Sequence, residues 1–317
     1  MPNFSSNFQR WFLKAGPLLA LVVVYVFFAA MRYDRFVAWN NSAIMLQQTA
    51  VIGIGAIGMT LIIVSGGIDL SVGSIIALCS VVVALMLERG YSPLVAALGS
   101  IGTGAVAGLV SGLLITRLKL MPFIVTLGTM EIWRGIATNV AHEQPIYPNE
   151  TWLNQLMQLQ PHNLPSGVWL MLAFAIIVAG VMHYTKFGRH VFAIGSSENT
   201  ARLCGIHVEN TKLLVYVLGA ALAGVSGLLQ FSYLTCGDPT TAVGLELNII
   251  AAVVIGGASL SGGSGTITGT LVGALIMTVV NNGCTKLDIP NSVQHVITGG
   301  IIIAAVALDH LRRKSRA

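Results

Sequence analysis

The side chains able to do chemistry in this chain sit where charge is expensive. Asp69 lies in a Gly/Ser-rich interruption of a long apolar run, Glu131 and Arg134 stand three residues apart in another, and Glu246 begins a third. Ionisable groups inside membrane-length apolar sequence mark packing pairs, helix caps or a substrate path. Asp69 is placed either to cap the following helix, accepting from backbone N–H groups near Val72, or to touch substrate directly. Glu131 and Arg134 share a helix face at their spacing. They either neutralise one another as a structural pair or line and gate a path beside Trp133. The amides Gln47, Gln48, Asn248, Asn281 and Asn282 either face a polar path or knit helices together. Catalysis is not on offer. His142, His162, His183 and His207 are scattered, and Cys79, Cys204, Cys236 and Cys284 have no metal-ligand spacing.

The elements that must position these groups are membrane helices. Of 317 residues 9% are charged and 55% apolar, with a mean hydropathy of +0.79. Soluble domains carry about 25% charged residues, so a water-exposed surface cannot be built from this chain. An all-α membrane protein of about ten spans is expected, near residues 15–31, 43–64, 70–87, 93–116, 122–141, 168–185, 212–231, 244–258, 263–282 and 291–309. The chain reads as one integral membrane domain over 1–317, with no room for a separate soluble domain. Thirty-five glycines suit helices that approach closely in lipid. The first apolar run lacks an obvious cleavage site and reads as a retained span.

One segment returns. Val64–Ser74 (VSGGIDLSVGS) reappears ungapped 190 positions later as Val254–Ser264 (VIGGASLSGGS), with seven identities. A Gly/Ser break repeated inside spanning sequence implies two related halves around a shared path, coincidence among common small residues being the alternative. Gly66, Gly67, Asp69 and Ser71 of the first copy, and Gly256, Gly257 and Ser261 of the second, are the path or helix-break candidates. Ser259 stands where the first copy has Asp69, another good cap residue.

Placing the N-terminus in the cytoplasm puts Arg10, Lys14, Arg117, Lys119, Lys186, Arg189, Arg202, Lys212, Arg312, Arg313, Lys314 and Arg316 inside, against Arg32, Arg35, Arg89 and Lys286 outside. That bias sets both termini on the inner face. The external segment 142–167 then contains no Lys or Arg, as it should. The longest inner polar loop is 186–212. Within it, Glu198–Gly205 is expected to form a short helix capped by Ser196 or Ser197 and ended by Gly205. Such a helix is either a docking knob for a soluble partner or an ordinary loop that snorkels basic residues to headgroups.

This loop resembles the ATPase-coupling segment of bacterial ABC importer permeases, in the ribose-type version G-x-N-E-x-A-A-R-L-x-G-I. Gly195, Glu198, Ala201, Arg202, Leu203, Gly205 and Ile206 match it; Ser197 and Thr200 replace the usual Asn and Ala. Ser65–Leu78 (SGGIDLSVGSIIAL) and Gly244–Thr266 (GLELNIIAAVVIGGASLSGGSGT) are similar to that family's two other hallmark stretches, so the resemblance spans nearly the whole chain.

The resemblance implies the transmembrane subunit of a monosaccharide importer, for a pentose or hexose, in a bacterial cytoplasmic membrane. Its implied partners are an ABC ATPase, a second permease that is identical or a sister chain, an external sugar-binding protein and lipid. ATP and magnesium would be used by the ATPase, and this chain would bind no cofactor and catalyse nothing. Gly195, Glu198, Ala201, Arg202 and Gly205 would carry the coupling. A weak, sparsely polar passage is expected, with selectivity delegated to the binding protein. Leu260–Ser264 (LSGGS) imitates an ATPase signature, but no phosphate loop of the G-x-x-x-x-G-K-[ST] type exists, and the segment reads as helix-packing glycine. The competing reading is a gradient-driven secondary transporter with Asp69 or Glu131 as the coupling carboxylate. Nucleic-acid binding is excluded: the formal charge of +5 follows from the inner-face bias.

Overall fold

The structure is a computed structural model that describes residues 4–159 and 163–314; His162 and Arg316 lie outside the described residues. Among those described there is no β-strand; Ile146 and Gly237 form an isolated antiparallel bridge. The chain begins with α1 (Phe4–Met31), the short α2 (Tyr33–Phe36) and α3 (Trp39–Val64). Then come α4 (Val72–Glu88), α5 (Pro93–Arg117) and α6 (Pro122–Val140). Both α5 and α6 open with proline, whose missing N–H is no loss in a first turn. A 3₁₀ turn (Asn154–Met157) precedes α7 (Ser166–Tyr184). The polar loop holds α8 (Lys186–Ser196) and α9 (Glu198–Leu203), and α10 (Val208–Leu234), α11 (Leu245–Ile255), α12 (Ile267–Lys286) and α13 (Asn291–Lys314) complete the chain.

Each of the ten stretches expected from sequence contains a helix, with 256–258 and 263–266 the longest parts left outside. Five of the helices, α3, α5, α7, α10 and α12, are long and apolar enough to cross a membrane; shorter apolar stretches occupy α1, α4, α11 and α13. The expected eighth span, 244–258, is corrected: α11 has 11 residues. At 1.5 Å per residue it covers about 16 Å, half of a hydrocarbon core of about 30 Å. The expected ninth span starts at Ile267 and not at 263, because the residues before it turn. The two Gly/Ser breaks diverge there as well, since α4 starts at Val72 whereas the corresponding Gly262 is still in the loop.

Between Ala50 and Ser65 every side of α3 is buried, as expected of a helix apolar all round. The most extensive helix packing is α5 on α10. Gly104, Gly108 and Gly112 form one stripe of α5, and a Cβ on any of them would collide with Ala220, Tyr216 or Leu213. Ser100 adds a 2.8 Å hydrogen bond from its Oγ to the Gly224 carbonyl. In lipid such contacts gain from dispersion and hydrogen bonding and not from excluding water, so small residues are what bring the backbones together. Gly269 and Gly273 of α12 do the same against the backbone of Gly256 and Ala252.

The bundle has two distinct ends. One carries the α3–α4 and α11–α12 breaks and the α8–α9 pair. Asp309 near the end of α13 accepts from Ser259 there, at 3.0 Å. The opposite end carries Phe28 of α1 against Gly283 of α12. The start of α1 and the end of α13 therefore lie at the end that carries the breaks. The segment 142–159 folds back over the other end: Leu153 and Met157 are buried, Ser232 Oγ accepts from the Met157 N–H at 3.0 Å, and Gln47 donates to the Met157 carbonyl.

Candidate functional site

The three motif stretches of the sequence meet at one point. Gly195, near the end of α8, packs against the backbone of Val64 at the end of α3 and of Gly263 in the α11–α12 loop. The Gly263 N–H donates to the Val64 carbonyl at 2.9 Å. Gly262, with φ +85°, sits where a Cβ would lie 3.0 Å from the Cα atoms of both Gly195 and Gly66. Glycine is required here for two reasons: close backbone approach and left-handed φ. Leu260–Ser264 is thus corrected from helix-packing glycine to a turn that joins the two breaks to α8.

Each break is closed by its own polar pair. Asp69, buried, accepts at Oδ1 from the Ser71 N–H (2.8 Å) and from the Ser71 hydroxyl (2.6 Å). It folds the turn before α4 by accepting from Ser71, the residue before Val72, and so takes the capping place expected of it. In the second break Ser259 Oγ lies 3.2 Å from Ser261 Oγ. Gly66 (φ +83°) and Gly257 (φ +94°) end their helices in left-handed conformation. Gly67 packs against the Tyr216 hydroxyl and Gly256 against the Gly269 carbonyl.

The polar loop extends from this junction as a built knob. Ser197 Oγ accepts from the Thr200 N–H at 3.3 Å, capping α9, and Gly205 at φ +80° ends it, as the sequence predicts. Ala201 is buried against Ile194 and Val208. On its other side α9 carries a chain of ion pairs. Glu198 bonds Lys212 (2.5 Å) and Arg202 (3.1 Å), and Arg202 bonds Glu209 (2.5 Å). Partial burial alone would raise the Glu198 carboxyl, but hydrogen bonds and charge from Lys212 and Arg202 outweigh it and leave the group below the ordinary range. Leu203 points away, 89% exposed.

The expected Glu131–Arg134 pair does not form. Arg134 Nη1 donates to the carbonyls of Pro239 and Thr241, each at 2.7 Å, while Glu131 is exposed on α6. The carbonyls win because that loop leaves them without helical partners and a guanidinium offers several donors to one cluster. The amides separate into two groups. Asn282 pairs with Asn41 at 3.1 and 2.9 Å and Gln47 holds the 3₁₀ turn, so these knit the bundle. Gln48, Asn248 and Asn281 instead face a cavity between α3, α10, α11 and α12. Gln230 and Tyr233, which also line it, went unread in the sequence; their i, i+3 spacing on apolar α10 was the available signal.

A bundle of apolar helices, broken by glycine at one end and bearing a capped, ion-paired helix knob on those breaks, defines a multi-pass membrane transport subunit. Comparison with known proteins specifies it. A family model described as branched-chain amino acid transport system / permease component matches residues 41–306. The chain belongs to this family of ABC transporter permeases. It is 40% identical over 314 residues to the ribose import permease protein of Bacillus subtilis (strain 168), covering 98% of this chain and 96% of that one. It is 36% identical over 309 residues to the ribose import permease protein of Escherichia coli (strain K12), covering 96% of each. The D-allose transport system permease protein of the same strain is 33% identical over 309 residues, covering 97% of this chain and 95% of that one. Among solved structures, one described as an inward-facing conformation of a metal-chelate type ABC transporter shares the fold, with a TM-score of 0.52 and 15% identity over 94% of this chain and 98% of that one.

Proposed function

We propose that this chain is the transmembrane subunit of an ATP-driven importer that carries a pentose or hexose across a bacterial cytoplasmic membrane. Its near-full-length likeness to ribose and allose permeases supports the substrate class. The observation that carries the mechanism is the seat of Gly195 between Val64 and Gly263. A push on α9 passes through α8 to the ends of α3 and α11 and the loop leading to α12, the helices around the polar cavity. Alternating access then follows from rocking these ends as a unit.

Partners follow the same logic. The coupling residues Gly195, Glu198, Ala201, Arg202 and Gly205 would serve an ABC ATPase that alone uses ATP and magnesium, with this chain holding no cofactor. Leu203 suits that docking as an exposed apolar side chain on an otherwise polar knob. Exposed Glu131, within a mostly apolar exposed face of α6, favours a second permease, identical or sister, packed on that face. An external sugar-binding protein would deliver substrate to the end capped by residues 142–159. A single membrane domain over 1–317, in which α11 crosses only half the bilayer and both termini are cytoplasmic, completes the proposal. The positive-inside bias supports it, as does the run of α1 and α13 toward the end of the bundle that carries the breaks.

Affinity purification with the cognate ATPase tests it, comparing wild type with Gly205→Arg. At φ +80° arginine costs about 1–2 kcal/mol of backbone strain at the end of α9. Retention by wild type and loss in the variant is expected. No retention by either, with both proteins folded, would favour the gradient-driven carrier.

A further inference from the structure

Away from the glycine junction, the cavity between α3, α10, α11 and α12 has a volume of about 210 Å³. Its polar wall consists of Gln48, Gln230, Tyr233, Asn248, Thr278 and Asn281, and the rest is aliphatic. No lining side chain is charged at neutral pH. The space is smaller than the 300–1,000 Å³ or so of sites for drug-sized ligands and suits one small polar molecule.

The hydrogen bonding within the wall is slack. Gln48 Nε2 reaches Tyr233 Oη at 3.4 Å, and Asn281 Nδ2 reaches Asn248 Oδ1 at 3.4 Å, both longer than the 2.7–3.2 Å or so of a good bond. Other lining groups are well engaged, and they fix the wall. Gln230 Nε2 donates to Thr241 Oγ1 at 2.7 Å, and the carbonyl of the same Thr241 accepts from Arg134. Thr278 Oγ1 serves the Ala274 carbonyl of its own helix at 3.0 Å. Two pairs of amide and phenol groups are thus held at the space and poorly satisfied by each other. A ligand with hydroxyls on neighbouring carbons can replace both contacts, since each hydroxyl donates one bond and accepts others. The Tyr233 ring adds an apolar face of the kind a sugar ring's C–H face requires.

Charge separates the possible substrate classes. An amino acid brings a carboxylate and an ammonium, and each is costly to bury without a partner. This wall supplies neither a cation nor an anion. We propose that the cavity is a transit subsite for a neutral sugar, in which Gln48, Tyr233, Asn248 and Asn281 exchange their long mutual contacts for sugar hydroxyls. The proposal rests on the importer reading above and adds to it a location and a chemistry. It also revises the expectation of a sparsely polar passage: polar groups are concentrated at one station. Giving up contacts this long costs little, so the exchange favours entry of the sugar.

Cysteine protection tests the subsite. Asn248→Cys and, separately, Asn281→Cys are introduced into the full chain carrying Cys204→Ser, which removes the exposed native thiol. Each is assembled with its ATPase in proteoliposomes and treated with a small neutral thiol reagent, with and without D-ribose or L-leucine. The Cys204→Ser parent without either new cysteine gives the background. Ribose at ten times its Kd should slow both reactions about tenfold, as simple occupancy requires, while leucine leaves them unchanged. Equal rates with and without ribose, or equal protection by leucine, would overturn the subsite. ATP-driven ribose uptake by the wild type is measured in parallel. Absence of ATP-driven uptake of ribose and of every other pentose and hexose tried overturns the importer reading, whereas intact ribose uptake without protection overturns the subsite alone.

Discussion

Gly195→Ala is the smallest perturbation that should disconnect the knob from the bundle. A Cβ at residue 195 would lie 2.5 Å from Gly263 N, 2.9 Å from the Val64 carbonyl carbon and closer still to its oxygen. All three atoms are backbone, so no side chain can swing aside, and either α8 or the joined breaks must move. Overpacking of this kind costs about 1–3 kcal/mol. The hydrogen bond from Gly263 to Val64 is stretched in the same motion, adding about 1 kcal/mol. Together, about 2–4 kcal/mol is a shift of about thirtyfold to several hundredfold in the seating of α8. The assay is ATP-dependent uptake of labelled ribose by the reconstituted complex, with ATPase retention on an affinity column measured alongside. Uptake should fall at least about tenfold while the protein stays folded and membrane-inserted. Gly102→Ala is the matched control, since a Cβ there meets nothing within 4 Å. Gly195→Ala transporting like wild type would refute the reasoning that force passes through this junction.

Other perturbations read different parts of the same path. Ala201→Glu forces a carboxylate between Ile194 and Val208, so α9 should undock and ATPase retention fall more than about tenfold, with membrane insertion unchanged. Glu198 is held below the ordinary carboxylate range. Its contribution is therefore complete above the unfolded value and lost as pH falls through the folded one. Hydrogen-exchange protection of α9, corrected for intrinsic rates, should accordingly be flat from neutral pH down to about 4.3 and drop below that, by at most about fivefold for so exposed a network. Glu198→Gln should remove that drop. Arg134→Gln should free the loop around Pro239 and Thr241 and lower detergent stability by about 2–3 kcal/mol, with Arg134→Lys recovering part of it; unchanged loop proteolysis in the glutamine variant would contradict the assignment.

How far the sequence reached depended on whether a feature is local. The ends of α9 were legible because a serine cap and a left-handed glycine are written within nine residues, and the helices were legible from runs of apolar residues. Helix α8 was missed, although Thr185 caps it and Gly188, Val191 and Ile194 bury one face at i, i+3 spacing. Its basic residues drew attention to the membrane surface instead. Arg134 was misassigned because spacing brought Glu131 near, while the carbonyls it bonds lie more than a hundred positions away. The meeting of Gly66, Gly195 and Gly262 has no local signature at all. Three stretches were recognised separately, and only tertiary packing makes them one junction.

The most direct test of the central claim is reconstitution of ribose uptake with this chain as the only membrane subunit, or with its sister if one is required. Vesicles are prepared with and without the ATPase, ATP and the sugar-binding protein, and with and without an imposed proton or sodium gradient. The account predicts uptake only when the ATPase, ATP and binding protein are all present, indifferent to the gradient. Uptake by the permease alone that collapses when the gradient is dissipated would contradict it.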